Sequence, residues 1–70
     1  MNFETGENFY NEKLKNNPKD LESIFKLSVL YLQTQRFNLA KLILDKGIEI
    51  YPNHAGLRNN LGAALEKQGE

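Results

Sequence analysis

Small and apolar residues recur in this chain at a fixed interval of 34 positions. Pro18 and Pro52 form one such pair, and Leu27 and Leu61 form another. The same interval separates Phe3 and Phe37, Gly6 and Ala40, Ser28 and Gly62, Phe9 and Ile43, Tyr10 and Leu44, Leu14 and Ile48, and Tyr31 and Leu65. A repeat of this length is typical of a solenoid, in which each unit buries its apolar face against its neighbours.

The spacing of apolar residues within each unit predicts helices rather than strands. Ile24, Leu27 and Tyr31 recur at intervals of three and four residues, which places them on one side of a helix. The β-branched residues never alternate with polar ones, as they would in a half-buried strand. The chain is therefore expected to be all-α. Four helices are predicted, at about residues 5–16, 21–34, 39–50 and 55–68.

Two proline clusters and one polar turn separate the predicted helices. The residue before a proline avoids helical backbone angles, so Pro18 and Pro52 each follow the end of a helix. Asp20, Asn38 and Asn53 stand after these three breaks. Their side chains can accept a hydrogen bond from a backbone N–H in the first turn of the next helix, so we predict all three as N-caps.

Residues 21–54 resemble one complete tetratricopeptide repeat, a 34-residue helix–turn–helix unit. Residues 1–20 resemble the second half of such a repeat, and residues 55–70 resemble the first half. The resemblance implies a single segment with the fold of an α–α superhelix, or solenoid, of antiparallel helix pairs. The positions that carry it are Ile24, Leu27, Ser28, Tyr31, Phe37, Ala40, Leu44, Gly47 and Pro52.

Two positions depart from the repeat pattern. Gly47 stands where alanine is usual, and this is expected to cost about 1 kcal/mol of helix propensity. Arg58 stands where the family carries a large apolar residue, so we expect the last helix to pack imperfectly.

The resemblance also implies a function, which is to bind a partner protein. Family members hold a peptide in a concave groove lined by the first helices of their repeats. Phe25, Val29 and Leu32 make the helix over 21–34 apolar on nearly every side, so both sides need cover. Either a partner peptide or neighbouring helices of the same array cover these three side chains. The predicted groove residues are Glu22, Phe25, Lys26, Val29, Leu32, Gln33, Asn59, Asn60, Ala63, Glu66 and Lys67.

One specialised subtype of groove is not expected. Some family members clamp the C-terminal carboxylate of a chaperone tail with Lys and Asn on one first helix and Asn on the next. They add Lys and Arg on a third first helix. Asn60 matches the middle asparagine, but Phe25 and Val29 stand where the first Lys and Asn are needed.

The terminal helices favour an alternative function, self-assembly. Each lacks the helix that would complete its repeat, so its apolar face would be free for end-to-end association or helix exchange. The residues predicted for this role are Phe9, Tyr10, Leu14, Leu57, Leu61 and Leu65.

Composition argues against several other partners. Lys and Arg number 9, and so do Asp and Glu, so the net charge is zero. A protein that binds nucleic acid or an anionic membrane surface needs a basic excess, so neither is expected. No apolar run approaches the ~20 residues that span a bilayer, and no signal peptide is evident. By default, the chain is expected to be soluble and cytoplasmic.

Catalysis, metals and cofactors are not expected. The chain has no cysteine, and its single histidine, His54, has no ligand-spaced partner and is predicted to be a solvated turn residue. Ser23 and Ser28 have no evident general base, and the glycines form no phosphate-binding loop. The expected partner is therefore another protein or peptide, or a second copy of the chain.

Overall fold

The computed structural model describes residues 3–69, with side chains from Gly6 onward. Four helices account for this part of the chain, and it contains no strand, so the prediction of an all-α chain with four helices is confirmed. In the same range, no helix is both long and apolar enough to cross a lipid bilayer. The helices are α1 (Phe3–Asn16), α2 (Leu21–Gln33), α3 (Phe37–Ile50) and α4 (Ala55–Gln68).

Helix α2 begins at the predicted aspartate cap. Asp20 Oδ1 accepts a hydrogen bond from the backbone N–H of Ser23 at 3.3 Å. This bond is the main reason that the pKa of Asp20 lies below its usual value; partial burial opposes the shift, and the nearby Lys13 ammonium adds to it. A negative charge here also complements the positive end of the helix dipole.

The other two predicted caps are wrong. Helix α4 is capped by His54 rather than Asn53: His54 Nδ1 accepts a hydrogen bond from the backbone N–H of Leu57 at 3.1 Å. Helix α3 begins at Phe37, two residues earlier than predicted, so Asn38 lies inside its first turn. Asparagine is a common N-cap residue, but an unprotonated imidazole nitrogen accepts the same bond.

Gln35 reverses the chain between α2 and α3. Its φ of 61° lies in the left-handed region, which residues other than glycine seldom adopt. After this residue, the N–H of Arg36 donates to the carbonyl of Tyr31 at 2.8 Å, which satisfies a carbonyl at the end of α2. The turn thus needs only three residues.

The arrangement of the helices is flat. Helix α2 contacts each of the other three helices, and α3 contacts both α2 and α4. The Cα atoms extend 32 × 29 × 15 Å along the principal axes. The shortest dimension fits two layers of helices, because packed helix axes lie about 8–10 Å apart.

The core lies where α2, α3 and α4 meet. Leu27, Leu44 and Leu57 are completely buried there. A Cβ added to Gly47 would lie 2.8 Å from Ile24 Cγ2 and 3.1 Å from Leu57 Cδ1. The glycine therefore has a packing role that offsets its low helix propensity, because the backbone of α3 approaches its neighbours too closely for a methyl group.

Candidate partner-binding surfaces

The predicted groove residues lie on two helices that contact each other, α2 and α4. We call the surface that they form the α2–α4 face. Phe25, Val29, Leu32 and Asn60 are half-buried. The exposed members of the face are Glu22, Lys26, Gln33, Asn59, Ala63, Glu66 and Lys67.

Asn60 joins the two helices of this face. Its Nδ2 donates to Ser28 Oγ at 3.2 Å, and Ser28 Oγ in turn donates to the Phe25 carbonyl at 2.7 Å. Ser28 is fully buried, so this short chain of hydrogen bonds satisfies a polar group inside the helix contact. Asn60 is thereby held in place by its own fold before any partner binds.

Phe25 packs largely against its own chain. Its ring centroid lies 6.0 Å from that of His54, and its Cε1 lies 2.9 Å from the position that a Cβ on Gly56 would occupy. The prediction that His54 is a solvated turn residue is wrong, since it is half-buried, caps α4 and contacts Phe25. Leu32 also packs against the core, whereas Val29 lies outside it.

Glu22, at the edge of the α2–α4 face, is tied to α1. Lys13 Nζ lies 3.4 Å from Glu22 Oε1 and 3.7 Å from Asp20 Oδ2. The ion pair is exposed and therefore weak, so a partner's charged group could replace Lys13 beside Glu22 at little cost in free energy.

A second surface, which the sequence analysis missed, is an open cavity of about 460 Å³ between α1 and α3. We call it the α1–α3 groove. Asn11, Lys15 and Lys46 are its polar lining residues, and Pro18 also lines it. The apolar lining consists of Leu14 from α1, Ile24 and Tyr31 from α2, and Leu39, Leu42 and Ile43 from α3.

Two exposed leucines on α3 are the sequence feature that predicts this groove. Leu39 and Leu42 are 40% and 59% exposed, three residues apart on α3. They lie beside the buried packing positions Ala40 and Leu44, so α3 is apolar on more than its core side. In the sequence, apolar residues surround α2 on nearly every side, which predicts cover on both sides. The same criterion identifies α3 as well.

An ion pair between α1 and the α2–α3 turn fixes one wall of the groove. Arg36 Nη2 and Nη1 lie 2.7 and 3.2 Å from the two carboxylate oxygens of Glu7, a bidentate geometry. The hydrogen bond to Glu7 is the main reason that the pKa of Arg36 is raised. The guanidinium also stacks 4.9 Å from the ring centroid of Tyr31, which lies at the floor of the groove.

The residues predicted for self-association are distributed unevenly between surface and core. Phe9 and Leu65 are 57% and 46% exposed, whereas Leu57 is fully buried. The remaining three, Tyr10, Leu14 and Leu61, are half-buried. Among the six residues predicted for this role, each of the two helices therefore offers one large exposed apolar side chain.

Where side chains are described, at residues 6–69, no three of His, Asp and Glu come close enough to hold a metal ion. That the chain is not an enzyme and takes no cofactor stays a prediction. No protein-family model, curated protein or solved structure matches this chain.

Proposed function

We propose that this chain is a tetratricopeptide-type interaction module that binds a peptide or helix of a partner protein on the α2–α4 face. The observation that carries the proposal is the contact between two helices whose sequences are related by the 34-residue interval. Val29 on α2 and Ala63 on α4 occupy equivalent positions at that interval, and both are at least partly exposed.

The contacts among the helices support the repeat organisation in this proposal. In stacked antiparallel pairs, a second helix packs against its own first helix and against the first helix of the next unit, and successive first helices meet. Helix α3 contacts α2 and α4, and α2 contacts α4, as this arrangement requires. Residues 21–54 are then the complete repeat, flanked by half repeats at 1–20 and 55–70.

The chemistry of the face suits a peptide with a small apolar anchor. Val29 provides an apolar centre, and Lys26, Gln33 and Asn59 surround it with exposed polar groups. Interfaces commonly combine an apolar centre with a polar rim in this way. Because Phe25 and Leu32 are mostly covered by the fold, the apolar centre is narrower than the sequence implies.

A selection from random peptides tests this proposal and does not require an identified partner. The peptides would be displayed on phage and selected on the immobilised protein, and the affinity of enriched peptides measured by fluorescence anisotropy. We expect the double variant V29E/A63E to weaken binding about tenfold or more, because two carboxylates would be introduced into the contact. Failure to enrich any peptide, or loss of binding only in the groove variant L42E, would count against the α2–α4 face.

A second candidate function, self-assembly through the terminal helices, is favoured by one comparison between α2 and α4. Tyr31 and Leu65 are equivalent at the 34-residue interval, yet Tyr31 is 8% exposed and Leu65 is 46% exposed. An added Cβ on Gly62, the equivalent of buried Ser28, would meet only open space. Sedimentation velocity over a wide concentration range tests this function: association that L65S abolishes supports it, and a monomer throughout excludes it.

A further inference from the structure

The α1–α3 groove combines a concave apolar floor with exposed apolar walls. Ile24 and Tyr31 form part of the floor and are only 2% and 8% exposed. Leu39 and Leu42 line the α3 side and remain accessible to solvent. Its volume of about 460 Å³ lies within the range of roughly 300–1,000 Å³ that is usual for binding clefts.

The charged groups that line the groove have one sign. Lys15 contributes from α1 and Lys46 from α3, and no carboxylate lines the groove in the described part of the chain. Among the described side chains, those of residues 6–69, Lys46 makes no ion pair; its neighbour Asp45 instead pairs with Lys41 at 2.8 Å. Lys15 lies 3.5 Å from Glu12, but both side chains are largely exposed, so that pair is readily exchanged.

From this combination, we infer that the α1–α3 groove is a second binding site, which takes a helical segment of a partner protein with leucine-type side chains and flanking carboxylates. The apolar side chains of the segment lie against Leu39, Leu42 and Tyr31, and its carboxylates face Lys15 and Lys46. Amphipathic helices are commonly recognised by apolar grooves in this way. The site is separate from the α2–α4 face and does not depend on the function proposed for that face.

The shape of the site favours a peptide over an anionic membrane. A lipid surface is reached by protruding apolar and basic side chains, whereas Ile24 and Tyr31 lie at the bottom of a recess. The net charge of zero also provides no long-range attraction to a membrane.

Two designed helical peptides test the inference directly. Both carry leucines at positions i, i+3 and i+7, and they differ only in their flanking residues, which are glutamate in one and lysine in the other. Binding to the 70-residue protein would be followed by fluorescence anisotropy. We expect the glutamate peptide to bind about tenfold more tightly than the lysine peptide, and its affinity to fall as salt screens the charges.

Variants of the protein locate the binding. We expect K15E/K46E to reverse the preference between the two peptides and L42E to weaken both, because L42E places a charge on the apolar wall. K41E is the matched control for charge, because Lys41 lies on α3 in a pair with Asp45 and lines neither the α1–α3 groove nor the α2–α4 face; it should leave both affinities unchanged. Far-UV circular dichroism would verify that each variant remains helical.

Several results would overturn the inference. These are equal binding of the two peptides, an unchanged preference in K15E/K46E, and an unchanged affinity in L42E. Binding to phosphatidylserine vesicles that K15E/K46E abolishes, without binding of either peptide, would assign the groove to a membrane instead. Concentration-dependent association that L42E abolishes would assign it to a second copy of the chain. Loss of peptide binding in V29E/A63E alone would place the peptide on the α2–α4 face.

Discussion

Two glycines of this chain differ in how closely neighbouring side chains approach them. Gly47 lies where α3 approaches α2 and α4, and a Cβ there would lie 2.8 Å from Ile24 Cγ2. Gly62 lies in α4, and a Cβ there would meet nothing within 4 Å. The backbone of both residues is helical, so local conformation does not distinguish them.

Substituting each glycine by alanine should therefore shift stability in opposite directions. G62A gains helix propensity and should raise the free energy of unfolding by about 0.5–1 kcal/mol. G47A gains the same propensity but overpacks the core, so we expect a net loss of about 1–3 kcal/mol. Urea unfolding followed by circular dichroism measures both. An increase in stability for G47A would show that the helices separate easily at this point.

The two buried serines of α2 provide a second matched pair. Ser23 Oγ is buried and has no partner within hydrogen-bonding geometry among the side chains of residues 6–69, whereas Ser28 Oγ bonds both Asn60 and the Phe25 carbonyl. S23A removes an unsatisfied hydroxyl and should stabilise the protein by about 0.5–1.5 kcal/mol. S28A leaves the Asn60 amide without its partner and should destabilise it by about 1 kcal/mol. The same unfolding titrations distinguish these outcomes, and equal effects of the two changes would contradict the assignment.

At the scale of elements, the helices could be predicted and their caps only in part. Periodic apolar spacing and the turns at Pro18 and Pro52 are local properties of the sequence, so four helices were expected where four occur. The N-cap is the residue that has non-helical backbone angles and a side-chain acceptor close to the N–H groups of the first turn. Residue type alone does not determine which residue this is. Hence the prediction of Asp20 as a cap is confirmed, whereas the prediction of Asn53 is wrong because His54 caps α4.

The Asp20 cap of α2 should make stability depend on pH in the acid range. Its folded pKa is lowered, mainly by the hydrogen bond from the Ser23 N–H. The stabilisation is then complete above the unfolded pKa of about 4 and is lost as pH falls through the folded pKa. D20N keeps an oxygen acceptor but does not titrate, so its stability should fall less than that of wild type between about pH 5 and pH 2. Parallel pH dependence of the two proteins would show that another group is responsible.

At the scale of the whole molecule, the sequence points to one of the two candidate surfaces and not to the other. The members of the α2–α4 face can be selected by counting along the chain at the 34-residue interval. The α1–α3 groove arises because α1 and α3 lie on either side of Ile24 and Tyr31, and no short window of sequence contains all of its parts. Leu39 and Leu42 alone gave a local signal, as exposed apolar residues on a helix that already has a packed face.

Helix α1 is the least supported part of the described structure, because α2 is the helix against which it packs. Besides the exposed pairs of Lys13 with Asp20 and Glu22, a bidentate ion pair joins Glu7 to Arg36, between residues 29 positions apart. Elements with few tertiary contacts open locally more often than the core does. The stability of the groove wall that α1 provides should therefore depend on this pair.

E7Q should loosen α1 selectively, since it preserves the size of the side chain but removes the charge that Arg36 binds. We expect severalfold faster amide hydrogen exchange in α1, with little change in α3 and α4, and weaker binding of the glutamate peptide in the α1–α3 groove. E12Q is the matched control for hydrogen exchange, because Glu12 lies on the same helix in an exposed pair with Lys15 and, among the described residues, has no ion pair with another helix. Uniformly faster exchange in all four helices of E7Q would mean that the chain unfolds as one cooperative unit, and that α1 has no independent opening for the ion pair to restrain.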